Sequence, residues 1–432
     1  MKRFSFTVLF LLTASFMLAQ PLIPSSHGLE ENQPAWNHDF PQAQEYTLAS
    51  GFAWWSSYID LSGDGLAKLK NALSGHASLI KNTTQFISYA YNSETNAWTW
   101  TGTLTNLQNN KMYYLQITDP ITFEIEGNVV NTEEVIIEYA KEWNWLGYPS
   151  TQATVISEAL SDYQALNGEV FKNKNGFSTY NSTSNTWVGS VQTLIPGQGY
   201  MLQSKHEEAG TFHYNTGSKE TVIEDHPAPI WNANHAGFAT NMCVLACIQL
   251  KGEELRSEDY ELGAFAGDEC RGATPILYIK ETDSYLAFLT ISGENGDAFQ
   301  FRLLDRTTGT VYTEANNFRI TYNDNDVVGT LNAPCLLTFK NMLSSEETLA
   351  GMMRIFPNPV EHSGSLHLSL PEHMANNADL NIQIVDLLGQ VVKEEHMSGN
   401  ECAISSDFTP GLYMVKVFAN GALILNNKLM VK

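Results

Sequence analysis

The sequence predicts a multidomain protein that is mainly β, with two related α+β repeats, a β-sandwich module and a smaller C-terminal β-sandwich. Three observations predict this class. The aromatic residues of one segment recur in a second segment in the same order, as Trp54 and Trp145 do. Short apolar runs separated by Gly, Asp, Asn and Ser turns follow residue 230, and alternating apolar residues fill the end of the chain. The 432 residues, 43% of them hydrophobic, are enough for several packed cores.

The charge balance excludes one class of partner. The chain has 24 Lys and Arg residues against 47 Asp and Glu residues, which gives a formal net charge of −23. Such a charge repels phosphate backbones and anionic lipid surfaces. We therefore expect no nucleic-acid partner.

The N-terminus has the pattern of a secretory signal. Lys2 and Arg3 precede an apolar run over 8–18, which is shorter than a membrane span. We predict a signal peptide at 1–19 and an N-terminal extension at 20–47. Since no later apolar run is long enough, we expect no transmembrane segment.

The internal repeat defines the next two units. Lys81 matches Lys172 at an offset of 91 residues, whereas Tyr113 matches Tyr200 at an offset of 87. We expect the four extra residues of the first copy in a turn around Tyr91 to Asn96. Each copy combines a helical stretch with aromatic hairpin strands, which predicts an α+β fold. The expected ranges are repeat 1 at 48–117, a connecting segment at 118–141 and repeat 2 at 142–204.

The second copy opens with "WNW" at Trp143 to Trp145 and closes with "PGQGY" at Pro196 to Tyr200. It resembles a repeat that is common in secreted proteins of the Bacteroidota. The resemblance implies an accessory module without a catalytic assignment. The first copy departs from the pattern, with "FAWW" and "NNKMYY" at the corresponding places.

The tryptophans fall into two groups. Residues matched between the copies, such as Trp54 with Trp145, are expected in the cores because a repeated core keeps its large apolar volumes. Trp55 and Trp98 have no aromatic counterpart. We therefore consider these two as candidate ligand contacts, since exposed indoles can stack on sugars.

A linker at 205–229 leads to the β-sandwich module at 230–340. The stretch "YELGAFAGDECRG" from Tyr260 to Gly272 resembles another module of secreted Bacteroidota proteins, to which no activity is firmly attached. The module has four cysteines, which allow two disulfides in three connectivities or reduced, buried thiols. These disulfide candidates are Cys243, Cys247, Cys270 and Cys335. A bond between Cys243 and Cys247 is disfavoured, since four residues of strand separate their Cα atoms by roughly 13 Å.

No cofactor is expected, and no metal site is assigned. The acidic stretches 60–65 and 323–329 are candidates for Ca²⁺ that fit ordinary turns better. No GxSxG, HExxH or GxxxxGK[ST] motif is present. The carboxylates between Glu253 and Glu261 fit a solvated loop better than a catalytic pair.

A polar linker at 341–353 precedes a tail whose alternating residues predict a complete β-sandwich. The tail contains a PNP start, a DxxGQ turn, a PGxY strand and a terminal KxxxK. The residues that carry these motifs are Pro357, Asn358, Pro359, Asp386, Gly389, Gly411, Tyr413, Lys428 and Lys432.

These motifs closely resemble the type A C-terminal sorting domain of the type IX secretion system, over 354–432. The resemblance implies an immunoglobulin-like β-sandwich and export through the type IX translocon. It also implies removal of the domain by a sortase-like protease, with attachment to lipopolysaccharide at the outer-membrane surface. The linker before Arg354 would then be the processing region.

For the rest of the chain we expect non-catalytic binding or adhesion, with a glycan or glycoprotein as ligand. Two alternatives stay open: an extracellular hydrolase with an unrecognised carboxylate site, and a structural component of a surface assembly. An exposed row of Trp and Tyr would favour glycan binding, whereas a close acidic pair in a concave pocket would favour the hydrolase.

Overall fold

The computed structural model describes residues 41–216, 227–314, 319–342, 354–369, 380–386, 389–397, 399, 401–419 and 422–432. The predicted signal peptide, most of the N-terminal extension and most of the linker 341–353 lie outside these residues, as do residues 217–226 of the linker 205–229. No helix in the described part is long and apolar enough to cross a membrane.

The first repeat is a five-stranded antiparallel sheet covered by one helix. Its sheet order is β2-β6-β3-β4-β5, and β1 pairs with β7 in a separate two-stranded sheet. The elements are β1 (Gln42–Leu48), β2 (Gly51–Trp55), α1 (Gly65–Leu73), β3 (Ala77–Lys81), β4 (Phe86–Asn92), β5 (Ala97–Gly102), β6 (Tyr113–Ile117) and β7 (Ile121–Gly127). Leu69 and Leu73 of α1 are fully buried against this sheet, as their helical spacing predicts.

The second repeat has the same architecture. Its sheet order is β9-β15-β11-β12-β13, which matches the first sheet strand by strand and confirms the repeat. A 3₁₀ turn (Thr132–Glu134) precedes it. The elements are β8 (Ile137–Tyr139), β9 (Glu142–Gly147), β10 (Thr154–Val155), α2 (Ile156–Ala159), β11 (Val170–Lys172), β12 (Phe177–Asn181), β13 (Thr186–Gly189), β14 (Thr193–Leu194), β15 (Gly199–Ser204) and β16 (Gly210–Phe212). The helix is a single turn of 4 residues here, against 9 residues in α1.

Each repeat is closed by a pair of strands from its two ends. Tyr46 of β1 lies opposite Phe123 of β7, and Ile137 of β8 lies opposite Phe212 of β16. All four side chains are buried. The segment 118–141, predicted as a connection, therefore contains β7 and β8, and the expected extension and linker contain β1 and β16. Their alternating apolar residues complete the two cores.

The two repeats pack on each other through aromatic residues. Trp54 and Tyr114 of the first repeat stack at 5.7 Å between ring centroids, and Tyr114 stacks on Trp145 of the second at 4.0 Å. Trp54 also donates from Nε1 to the carbonyl of Ala239 in the following module, at 2.9 Å. Backbone hydrogen bonds accompany this layer, from the Ser56 N–H to the Gly197 carbonyl at 3.1 Å and from the Phe52 N–H to the Ala236 carbonyl at 2.6 Å.

The third module is one sheet that closes on itself, because β25 pairs in parallel with β17. Its interior is an apolar core from Met242 to Phe339. The strands are β17 (Asn241–Leu250), β18 (Glu253–Glu254), β19 (Tyr260–Ala266), β20 (Glu269–Ile279), β21 (Ser284–Ser292), β22 (Gln300–Asp305), β23 (Val311–Glu314), β24 (Val327–Val328) and β25 (Cys335–Met342).

The C-terminal domain is a sandwich of two antiparallel sheets, ordered β26-β27-β30 and β29-β28-β31-β32. Alternate residues of these strands fill one core, as the sequence predicts. The strands are β26 (Arg354–Phe356), β27 (Ser365–Ser369), β28 (Leu380–Val385), β29 (Val391–Met397), β30 (Glu401–Ser405), β31 (Gly411–Ala419) and β32 (Ala422–Val431).

Candidate functional site

The hairpin β4–β5 is where the two repeats differ most. β4 has 7 residues against 5 in β12, and β5 has 6 residues against 4 in β13. The turn between the strands has the same length in both copies. The expectation that the four extra residues of the first copy lie in the turn is therefore wrong, since they lengthen each strand by two.

The turns are alike because they use the same chemistry. Asn96 and Asn185 both adopt positive φ, at 54° and 59°. Each of these side chains accepts a hydrogen bond from the tyrosine five residues earlier, Tyr91 or Tyr180. Because both copies use the same four-residue turn, the extra residues of the first copy lie in the strands instead.

Two extra residues are one full period of a strand, so the insertion adds one cross-strand pair on the same face. In the second repeat Tyr180 lies opposite Trp187. In the first repeat Tyr89 lies opposite Trp100, and the additional pair Tyr91–Trp98 lies nearer to the turn.

The additional pair extends beyond the helix that covers the sheet. Trp100 is held at the end of α1, where Nε1 donates to the Lys70 carbonyl (3.2 Å) and to Ser74 Oγ (3.0 Å). Trp98 and Tyr91, one step further out, are 59% and 50% exposed. Trp187 of the second repeat, by contrast, is buried.

The exposed rings of Tyr91 and Trp98, together with the half-buried ring of Tyr89, form a surface that we call the aromatic platform. Tyr89 stacks on Trp98, with centroids 5.6 Å apart and planes inclined by 28°. Tyr91 meets the edge of Trp98 at 6.0 Å and 63°. Such a platform offers an apolar face for stacking, and Asn96 supplies amide groups at its rim.

Trp55, the other predicted ligand contact, is not exposed, and that prediction is wrong. Its side chain is 1% exposed and packs between Tyr46 and Tyr113, at 5.5 and 6.1 Å. Successive residues of β2 point to opposite faces, so that Trp54 faces the second repeat and Trp55 the core of the first. Exposure of Trp98 agrees with the prediction made for it.

The disulfide candidates are free thiols, as is Cys402. Cys243 lies opposite Thr290, Cys247 opposite Leu286 and Cys335 opposite Ala246, so these cysteines do not face each other across the sheet. Burial raises the pKa of Cys243 to about 11 and that of Cys270 to about 12. These values are typical of packing residues rather than reactive thiols.

The acidic turns use their carboxylates for local contacts. Asp60 Oδ1 accepts from the Ser62 N–H at 2.8 Å, and Asp64 pairs with Lys68 at 3.0 Å. Asp324 accepts from Thr240 Oγ1 at 2.6 Å. Within the described ranges no three metal-binding side chains cluster. Ca²⁺ binding at these turns stays a prediction.

The carboxylates after Glu253 also have structural contacts. Glu261 is fully buried and accepts from the backbone N–H groups of Ile230 (2.7 Å) and Trp231 (2.8 Å). Burial raises the pKa of this carboxyl, and Arg306 lies 4.0 Å away. Glu261 therefore anchors the start of the third module.

Two depressions contain acidic groups. One, of about 360 Å³, lies on the third module between Glu254, Tyr285 and Leu336. The other, of about 340 Å³, lies on the second repeat and includes Glu133 and Asp162. Asp162 lies 3.6 Å from His213 Nδ1 and accepts from the His213 N–H, so that it is engaged locally.

The C-terminal motif residues occupy the turns and one edge of the sandwich. Asp386 Oδ1 accepts from the Gln390 N–H at 2.9 Å, and Gly389 has the positive φ (84°) that the turn needs. Tyr413, two residues after Gly411, donates to the Thr409 carbonyl at 2.6 Å. This resembles the tyrosine corner of immunoglobulin-like sandwiches. The other motif residues, Pro357, Asn358, Pro359, Lys428 and Lys432, lie along β32.

Residues 354–432 match the family described as the secretion system C-terminal sorting domain. No curated protein matches the chain. Fibronectin(III)-like modules of CbhA from Clostridium thermocellum are 10% identical, over 44% of this chain and 92% of theirs, with a TM-score of 0.13. The BSP domain of a biofilm-associated protein is 8% identical, over 95% of this chain and 99% of that domain, with a TM-score of 0.17. PorZ, a surface component of the type IX secretion system of Porphyromonas gingivalis, is 12% identical, over 92% of this chain and 57% of PorZ, also with a TM-score of 0.17. At TM-scores this low, these similarities do not assign a fold or a function to this chain.

Several β-rich modules that end in a sorting domain define an exported modular protein. The chain is a cargo of the type IX secretion system, which delivers it to the cell surface or the extracellular space.

Proposed function

We propose that this cargo is a non-catalytic surface protein that binds neutral glycans, free or on glycoproteins, through the aromatic platform. The observation that carries the proposal is the extra Tyr91–Trp98 pair. It lies beyond the helix, and its rings are half exposed, whereas the second repeat buries its only equivalent tryptophan. Neighbouring exposed aromatic rings of this kind are typical of interaction sites.

The chemistry of the platform favours sugars. Ring faces of Tyr89 and Trp98 can stack on the apolar face of a pyranose, and the Asn96 amide can exchange hydrogen bonds with hydroxyls. The net charge of −23 disfavours anionic polysaccharides. Neutral glycans are therefore the ligand class that we propose.

The test is a glycan array with residues 20–344, comparing the wild type with a shortened hairpin. Excision of Ala90-Tyr91 and Trp98-Thr99 leaves "YNSETNAW", which matches the second copy's "YNSTSNTW". We expect this variant to fold and to lose binding. Equal binding by the variant would contradict the platform.

Phe86→Ala is the matched control. Phe86 is 48% exposed and lies on β4, as Tyr91 does. The two residues are five positions apart, so Phe86 points to the face of the sheet opposite the platform. We expect Trp98→Ala to weaken binding at least about tenfold, as loss of a stacking contact does, and Phe86→Ala to leave it unchanged. A wild-type protein that binds no glycan would favour the structural role, and release of sugars from a bound glycan would favour the hydrolase.

We further propose the processing that the tail resemblance implies. The signal peptide at 1–19 is removed on export, and a sortase-like protease cleaves in 341–353 before joining the cargo to lipopolysaccharide. The support is the sorting domain itself. Intact mass of the surface form tests this proposal, since a mature protein that retains 354–432 would contradict it.

A further inference from the structure

The start of the sorting domain and the end of the chain form one structural element. The Asn358 side chain lies against the outer edge of β32 and uses both halves of its amide. Nδ2 donates to the Lys428 carbonyl at 2.8 Å, and Oδ1 accepts from the Met430 N–H at 3.0 Å. The side chain thus pairs with the strand as a neighbouring backbone would.

Backbone groups continue this pairing to the last residue. The Val360 N–H donates to the Met430 carbonyl (2.9 Å), and the Lys432 N–H donates to the Val360 carbonyl (2.8 Å). The His362 N–H then donates to the Lys432 carbonyl at 2.8 Å. With Asn358, these contacts occupy the outer edge of β32 from Lys428 onward.

The two flanking prolines explain why an asparagine is needed. Pro357 and Pro359 have no N–H, so the backbone beside Lys428 and Met430 is a poor partner for a strand edge. An amide side chain both donates and accepts, whereas a carboxylate only accepts and a Ser hydroxyl is shorter. Asn358 therefore supplies the pairing that the prolines cannot.

Holding the terminal strand in this way creates a defined surface. Leu429 and Val431 point into the core, whereas Lys428, Met430 and Lys432 point outward. Met430 is 47% exposed and lies opposite Leu412 of β31, which is 38% exposed. Two cations flanking an apolar strip are displayed only while residues 428–432 stay in the sheet.

We propose that Asn358 is the positioning residue of the sorting signal. It keeps residues 428–432 as a paired strand, and the export machinery recognises the exposed face of this strand rather than an unpaired peptide. The partner surface that fits is an apolar groove with acidic groups on both sides, since it must meet Met430 between Lys428 and Lys432.

The test uses the full chain in its exporting host. Asn358→Asp removes the donor to Lys428, and Asn358→Ser shortens the side chain without adding charge. Asn427→Asp is the matched control, because it makes the same charge change next to Lys428. The Asn427 Oδ1 accepts from the Lys428 N–H at 2.9 Å, and a carboxylate oxygen can accept this bond as well. Two quantities are measured for each variant: the exported fraction, and amide exchange of Met430 in the purified protein.

We expect Met430 exchange to accelerate about tenfold or more in Asn358→Ser, which loses both contacts, less in Asn358→Asp, whose carboxylate can still accept from the Met430 N–H, and not in the control. Export should fall in the same order, with the control equal to wild type. Normal export of a variant whose Met430 amide is unprotected would overturn the proposal, and so would a Met430 amide that stays protected in Asn358→Ser. If Asn358→Ser also exposes the amides of β28 and β31, the comparison is made with Asn358→Asp.

Discussion

Lys81 of the first repeat lies with Nζ 5.9 Å from the ring centroid of Trp145 in the second, and Lys172 lies at the same 5.9 Å from Trp54. The two lysines occupy equivalent positions in the repeats, and so do the two tryptophans. Each repeat therefore places its lysine on the tryptophan of the other. Cation–π contacts of this kind stabilise by about 1–2 kcal/mol when they are desolvated.

The two lysines differ in their surroundings. Lys172 is fully buried and donates to the Asn241 carbonyl (2.9 Å) and to Asn325 Oδ1 (3.0 Å) of the third module. Burial lowers its pKa to about 8, against the weaker opposing effects of Cys243 and Asp324. Burial also lowers the pKa of Lys174 to about 7.

These two lysines predict that stability rises with pH. The unfolded chain holds their protons up to about pH 10.5, whereas the folded protein releases them near pH 7 to 8. The penalty for burying the charges is thus complete below pH 7 and is relieved between pH 8 and 10. For Lys172 alone the gain is on the order of 3 kcal/mol. Urea unfolding at pH 7, 8 and 9 measures the first part of this gain, below the range in which Cys243 and Cys270, with pKa values raised to about 11 and 12, lower stability because the unfolded thiols ionise.

Lys172→Met is the matched variant for this prediction. It retains most of the side-chain volume without a titrating group, so the rise in unfolding free energy with pH should become smaller. An unchanged pH dependence in this variant would assign the effect to other groups. Lys81→Met serves as the control at the equivalent position.

Substitution of tryptophans should separate core positions from the platform. Trp55→Ala and Trp187→Ala should each lower the unfolding free energy by about 3–5 kcal/mol, because both indoles are buried. Trp98→Ala should lower it by less than about 1 kcal/mol, since this ring is 59% exposed. Denaturant titration measures all three, and a large loss in Trp98→Ala would show that the platform belongs to the core.

Glu261→Gln should destabilise the third module. The buried carboxylate accepts from two backbone N–H groups, and a Gln side chain would turn its NH₂ toward one of them. We expect a loss of about 1–3 kcal/mol. Glu258→Gln is the control, because its contact with the Tyr278 N–H lies at the surface and needs only one oxygen. Similar losses in both variants would contradict a specific role for Glu261.

Deletion of 354–432 should trap the protein in the periplasm, because the export signal lies in that domain. Fractionation of cells with antibodies against the repeats measures this. The control is a full-length chain with Phe86→Ala, which alters only an exposed side chain of the repeats. Surface display of the deleted chain would show that a second signal exists upstream.

The matched residues of the repeats made their common fold predictable, since Lys81 with Lys172 and Tyr113 with Tyr200 mark equivalent strands. No strand was predicted at β1, β7, β8 or β16. These strands lie outside the residues that match between the copies, and their pairing joins segments from opposite ends of each repeat. Alternating apolar residues can indicate such a strand, but they do not identify its partner.

The aromatic platform could be predicted only in part. Trp98 was singled out because it lacks a counterpart, and the same reasoning was wrong for Trp55. The difference lies in which face of a strand each side chain occupies and in what covers that face. Strand register decides which face a side chain occupies, and packing of α1 decides how much of that face is covered.

The sequence by itself determined the repeat, the β-rich class, the acidic surface and the export route, because these follow from local patterns and from motifs that lie close together in the chain. Only the tertiary structure decided which tryptophans are exposed, that the cysteines stay unpaired, and that Asn358 meets Met430 seventy-two residues later. These properties depend on which strands become neighbours. That choice is made by burial of the whole set of apolar faces at once, not by any single segment.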